Sequence, residues 1–216
     1  MMKHLLILFI QSLSFAGYAQ KTLMVEYVST STGLKTRVLL NDSFAFIYPY
    51  GNNGVDPLKK HTKEFGKKLV HHGYFYDFKK FKHYAVINFP KGYKYLIRQD
   101  SNYNYNWQFF NEKKIVAGYK CSAALSVSPS KDSTLLWYTK ELPLFDNFEY
   151  YKGVHGIVLE IQSQGARDIH LIAKQVQVTD IQLFYPEEGE IISTEDFIKI
   201  QNTEKYKNKS SWFLKD

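Results

Sequence analysis

The sequence predicts a mainly β fold: a curved antiparallel sheet, or a partly open β-barrel or sandwich, with one C-terminal helix. Three observations carry that prediction. Aromatic residues make up 17% of the chain, a composition that suits pleated, half-buried strands. Short runs of alternating apolar residues follow one another with turn residues between them, which argues for antiparallel pairing. Only one stretch, near the C-terminus, opens like an N-capped helix.

In chain order, residues 1–19 read as a secretory signal peptide. Lys3 and His4 form a short basic start, Leu5 to Ile10 an apolar run, and Ala16-Gly17-Tyr18-Ala19 a small-residue cleavage site. The apolar run is shorter than the ~20 residues a membrane span needs, and no cysteine near it offers a lipid anchor. Residues 20–216 are then expected to form a single β-rich domain, exported to the periplasm, the cell surface or the medium. Its one cysteine, Cys121, cannot make an intramolecular disulfide even in an oxidising compartment, so stability has to come from packing.

The first strand is expected over 22–28, a second over 36–40 and a third over 43–48, with Asn41-Asp42 turning between the last two. A basic stretch follows. Eight lysines between Lys59 and Lys82 face only Glu64 and Asp77, so this segment holds nearly all of the chain's net charge of +7. Tyr74, Phe75, Tyr76, Phe78, Phe81 and Tyr84 interleave with the lysines. Such a surface can hold an anionic envelope polymer through Lys67, Lys68, Lys79, Lys80 and Lys82. The simpler reading, which we prefer, is an edge-type strand or hairpin whose lysines are solvated and discourage edge pairing. Nucleic acid is not an expected partner. Further strands are expected over 84–89, 93–97 and 103–110.

Residues 115–127 alternate Ile115, Ala117, Tyr119, Cys121, Ala123, Leu125 and Val127 against small or polar residues, which predicts one long half-buried strand. Gly118 inside it suggests a bulge or bend. Residues 128–133 supply a turn, and 135–139 the returning strand. Beyond Gly153-Val154-His155-Gly156, a tight passage expected to need glycine, strands are predicted over 156–162 and 169–178. Ser193 or Thr194 then caps a helix whose first turn carries Glu195 and Asp196.

Three blocks in this region resemble the GLPGLI family. They are Lys114, Val116, Gly118, Tyr119 and Cys121; then Trp137, Tyr138, Thr139, Glu141 and Pro143; then Gly153, Gly156, Ile157, Val158, Leu159 and Glu160. The resemblance covers about the middle quarter of the chain. It departs from the pattern at His155, where the family has its motif proline, and at Asn147-Phe148, where a Gly-Pro is expected. The resemblance implies an exported β-rich protein of Bacteroidetes-type bacteria, and it implies no activity.

The candidates for chemistry are few. Cys121, His155 and an acid such as Glu160 can be assembled into a hydrolase, but Cys121 sits in the apolar phase, where a free cysteine is an inert small hydrophobe. His155 reads as a loop residue, and adjacent His71 and His72 would point to opposite faces of a strand. No zinc-type spacing, phosphate loop or nucleophile elbow occurs, so no metal or cofactor is expected. Trp137 and Tyr138 are candidates to line a ligand groove. The motif residues Gly118, Tyr119, Cys121, Trp137, Tyr138, Pro143, Gly153 and Gly156 are expected to serve the fold. The function this supports is a non-catalytic envelope module that binds or scaffolds an apolar or extended partner: a lipid, a peptide or another envelope protein. The alternatives are the Cys121/His155 hydrolase and a surface component that contacts anionic polymer.

Overall fold

The computed structural model describes residues 21–50, 58, 64–67, 72–80, 82–88, 94–99, 105–142, 151–165 and 168–202. The expected signal peptide, Lys68, His71 and Pro143 lie outside them.

The chain is mainly β. Its strands are β1 (Thr22–Ser29), β2 (Lys35–Leu40), β3 (Phe44–Tyr50), β4 (Glu64–Phe65), β5 (Gly73–Asp77), β6 (Lys82–Asn88), β7 (Lys94–Gln99), β8 (Trp107–Val116), β9 (Tyr119–Val127), β10 (Ser133–Thr139), β11 (Ile157–Gln164), β12 (Ile169–Thr179), β13 (Gln182–Leu183) and β14 (Glu190–Ile192), followed by helix α1 (Thr194–Asn202). Twelve of them form one sheet in the order β14-β7-β6-β5-β3-β2-β1-β12-β11-β10-β9-β8, and β13 pairs with β4. Among the described residues the sheet does not close: β14 and β8 are its two edges. Two antiparallel meanders, one of β1, β2, β3, β5, β6 and β7 and one of β8 to β12, meet where β1 pairs along β12. Two pairings, β14 with β7 and β13 with β4, are parallel. The antiparallel expectation did not include them, because strands of two or three residues carry no periodicity.

Apolar burial on both faces explains β1. Leu23, Val25 and Tyr27 enter one core cluster and Met24 another, so the strand reads as a near-continuous apolar run instead of alternating. On Met24's side the core is aromatic, with Phe46, Tyr48, Phe65 and Phe75 almost wholly excluded from water. At the β2–β3 turn Asn41 Oδ1 accepts from the N–H groups of Ser43 (2.9 Å) and Phe44 (2.8 Å), which is why Asn stands there. At the other end Ser193 caps α1. Its Oγ accepts from Asp196 N–H at 3.1 Å while its hydroxyl donates to Asp196 Oδ2, and Phe197 and Ile200 pack on Tyr95, Ile97 and Ile192.

Three expectations need correction. The strand predicted over 115–127 is two strands: Ala117 (φ 49°) and Gly118 (φ 87°) form a two-residue turn between β8 and β9. Left-handed φ at both central residues is the type I′ hairpin geometry, and the apolar phase simply runs on through it. Of the two expected forms, Gly118 therefore makes the bend, as a turn residue, and not a bulge. Second, the strand expected over 103–110 begins at Trp107 and continues to Val116. Third, the described part of the basic stretch forms a hairpin, β5–β6, as the reading allowed, but that hairpin does not lie at an edge. β5 and β6 are interior strands, and Lys79 and Lys80 lie on the turn that joins them, where Asp77 Oδ1 accepts from Lys80 N–H at 3.0 Å.

The second meander curls. Four strand spacings separate β8 from β12, roughly 19 Å in a flat sheet, yet Cα atoms of the two strands approach within 8 Å. This curl positions the site described next.

Candidate functional site

Registers across the curled meander place Lys114 opposite Cys121, Ala123 opposite Trp137, Trp137 opposite Glu160, and Glu160 opposite Ile172. Directly opposed residues share a face, so Lys114, Trp137 and Glu160 lie on one face although β9 and β10 stand between β8 and β11. The curl lets the side chains meet. Lys114 Nζ donates to Glu160 Oε2 at 2.5 Å and lies 5.5 Å from the centre of the Trp137 ring. From β12 and β11, His170 Nε2 lies 3.1 Å and Gln162 Nε2 3.0 Å from the other carboxylate oxygen, Oε1. Each of the three sequence blocks thus supplies one member of a single cluster.

Glu160 has 1% of its side chain exposed, while Lys114 and His170 keep 42% and 34%. A buried carboxylate therefore anchors two groups that reach solvent. Burial by itself would raise the Glu160 carboxyl. The hydrogen bonds from Lys114 and His170, the Lys114 charge and the Gln162 amide outweigh it, and its pKa lies below the usual carboxylate value. Held anionic by three donors, Glu160 is no general acid and suits an anchoring role.

Cys121 is wholly buried, and its thiol donates to Tyr119 O at 3.6 Å. Burial pushes its pKa up to about 11, with Glu141 and Glu160 adding to the rise while the Val116 backbone and Lys114 oppose it. No imidazole is among the groups that act on it, and a thiol so buried and so weakly acidic is no nucleophile. His155 sits exposed in the loop ahead of β11.

The motif glycines serve the backbone. Gly156 has φ 116°, and a Cβ there would stand 2.4 Å from Thr139 O; at Gly153 (φ 91°) it would stand 3.2 Å from Trp107 Cδ1. Trp107 Nε1 also donates to Lys152 O at 2.8 Å, so Trp107 packs on this passage. Trp137 and Tyr138 do not share a groove. Trp137 packs with the cluster that contains Cys121, whereas Tyr138 belongs to the cluster of Leu136, Val154 and Val158.

Of the basic candidates, Lys67 pairs with Glu64 and lies over the Phe184 ring, and Lys80 pairs with buried Asp77 and lies over Tyr185. Lys79 and Lys82 are exposed. The described residues contain no cluster of His, Cys, Asp or Glu fit to hold a metal ion. Sequence reasoning missed His170 and Gln162. Neither lies in a motif, and only the β11–β12 register, which sets them opposite one another, brings them to Glu160.

No family model matches the chain, and no curated protein does. Among solved structures the chain is similar to PNGF-II in two crystal forms. In the C2 form the TM-score is 0.56 at 13% identity, over 87% of this chain and 32% of that one. In the P21 form it is 0.58 at 12% identity, over 84% and 33%. This chain spans about a third of PNGF-II, and the likeness is one of fold.

Proposed function

We propose that the chain is an exported, non-catalytic envelope module of the GLPGLI family that binds an extended polypeptide partner along the β8 edge of its sheet. The observation that carries this is β8 itself. It is ten residues long and, among the described residues, bonded on one side only, and it exposes Phe109 (56%), Phe110 (37%) and Ile115 (65%). The free backbone groups of an edge strand are complementary to an incoming strand, and side chains of alternating sides supply selectivity. The register of β8 against β9 shifts between Phe110 and Lys113. That irregularity and the lysines guard the strand's middle against indiscriminate pairing and leave Trp107 to Phe110 as the open segment.

A lipid occupant has less support, because the described faces of the sheet are filled by the chain's own aromatic and aliphatic side chains. The hydrolase reading loses its nucleophile with the burial of Cys121. The likeness to one third of a longer protein supports a module reading, since the fold there stands beside further chain.

Synthetic ten-residue peptides of alternating apolar pattern test the proposal. Binding should slow backbone hydrogen exchange at Trp107 to Phe110, and Phe109→Glu should abolish the effect. Protection elsewhere, or a lipid that co-purifies in native mass spectrometry and blocks no exchange on β8, would overturn it.

A further inference from the structure

The Glu160 cluster carries an inference that is independent of the β8 edge. Glu160 consumes one donor from each of its three partners, and two of those partners remain half-exposed with polar capacity to spare. Lys114 is a triple donor that spends one N–H on Glu160. With Nε2–H donating to Glu160, His170 in its neutral form has its lone pair on Nδ1. That atom has no hydrogen-bond partner among the described residues. The carboxylate thus holds, one on each oxygen, a partly exposed ammonium and a partly exposed imidazole.

Charge decides what such a pair recognises. Lys114 and Glu160 cancel, and Gln162 is neutral. These three groups carry no net charge to hold a free anion, and an acceptor-only ligand leaves Nδ1 of a neutral His170 unsatisfied. A hydroxyl is both donor and acceptor, and a vicinal pair of hydroxyls can accept from Lys114 with one oxygen while donating to His170 with the other. We propose that Lys114 and His170, held by Glu160, form a binding site for a polyhydroxylated ligand of saccharide type through a vicinal diol. Glu160 and the Trp137 ring, whose centre lies 5.5 Å from Lys114 Nζ, hold the ammonium, so the donor is positioned before the ligand arrives, which limits the entropy lost on binding.

The test is a titration of the full exported chain with glucose and with myo-inositol, reading the His170 ring Cε1–H resonance, which the His170→Gln variant identifies by its loss. Acetate and inorganic phosphate serve as the competing ligand class. A saturable shift with both polyols, and affinity weakened about tenfold or more in Lys114→Met, the scale of one lost hydrogen bond to a charged group, is the result expected. No saturable shift with either polyol overturns the proposal. So does saturable binding of phosphate or acetate with none of the polyols, which would make this an anion site. Tryptophan fluorescence and a thermal melt of Lys114→Met establish that a loss of binding is read from a folded protein; should that variant be unfolded, Lys114→Arg, which keeps the charge but displaces the donor, takes its place and must also weaken the polyols.

Discussion

Two residues show how closely side-chain chemistry follows position here. Cys121 lies wholly inside the core with its thiol pushed up to about 11, so native protein at pH 8 should resist iodoacetamide and react only once unfolded. Cys121→Ala should fold, and should lose about 1 kcal/mol for the small void it leaves. Rapid alkylation of the native chain, followed by mass, would show the thiol to be accessible. Gly156 makes the opposite case, since a side chain there has no room. Its φ of 116° and the 2.4 Å from a built Cβ to Thr139 O mean that Gly156→Val must move backbone, at a cost of roughly 2–4 kcal/mol, which a urea melt would read. The tight passage at Gly156 and the apolar setting of Cys121 were legible in the sequence. Trp107's place against Gly153 was not, because it rests on a contact between residues far apart in the chain.

At the scale of elements, the β8–β9 hairpin and the Glu160 strand give two tests. Ala117 occupies a left-handed position (φ 49°) that Asn tolerates better than Ala, so Ala117→Asn should raise the melting temperature, by about 0.5–1 kcal/mol of stability. Ala117→Val should lower it. On β11, the Glu160 pKa is depressed in the folded state. Its pairing therefore stabilises the fold above the ordinary carboxylate pKa, and that contribution is lost as pH falls through the folded value. Unfolding followed from pH 7 to pH 3 should show the wild type losing stability on acidification, with Glu160→Gln starting lower and losing less over the same range. An equal slope for both would mean that Glu160 is not the group responsible. Strand existence was legible because turn chemistry at Asn41 and at 128–133, and capping at Ser193, are local signals. The 117–118 hairpin escaped because apolar alternation does not register a two-residue turn whose flanking strands keep the phase.

The whole molecule is two antiparallel meanders joined along β1 and β12, the second of them curled until β8 and β12 nearly meet. Mainly β architecture could be read from composition and alternation. The pairing of the first strand with the twelfth could not, since nothing in either strand names its partner across some 150 residues of separation. The curl is what turns three sequence blocks into one cluster, and Lys114 reaching Glu160 over two intervening strands is its direct consequence. A double-mutant cycle on that pair, Lys114→Met, Glu160→Gln and both together in urea unfolding, tests it most directly. Removing either partner alone leaves its mate unpaired at the cluster and should cost about 2–3 kcal/mol, while the double variant should cost well under the sum, a coupling of about 1.5 kcal/mol or more. Effects that add to within about 0.3 kcal/mol would show that the two side chains do not meet and that the second meander does not curl as described.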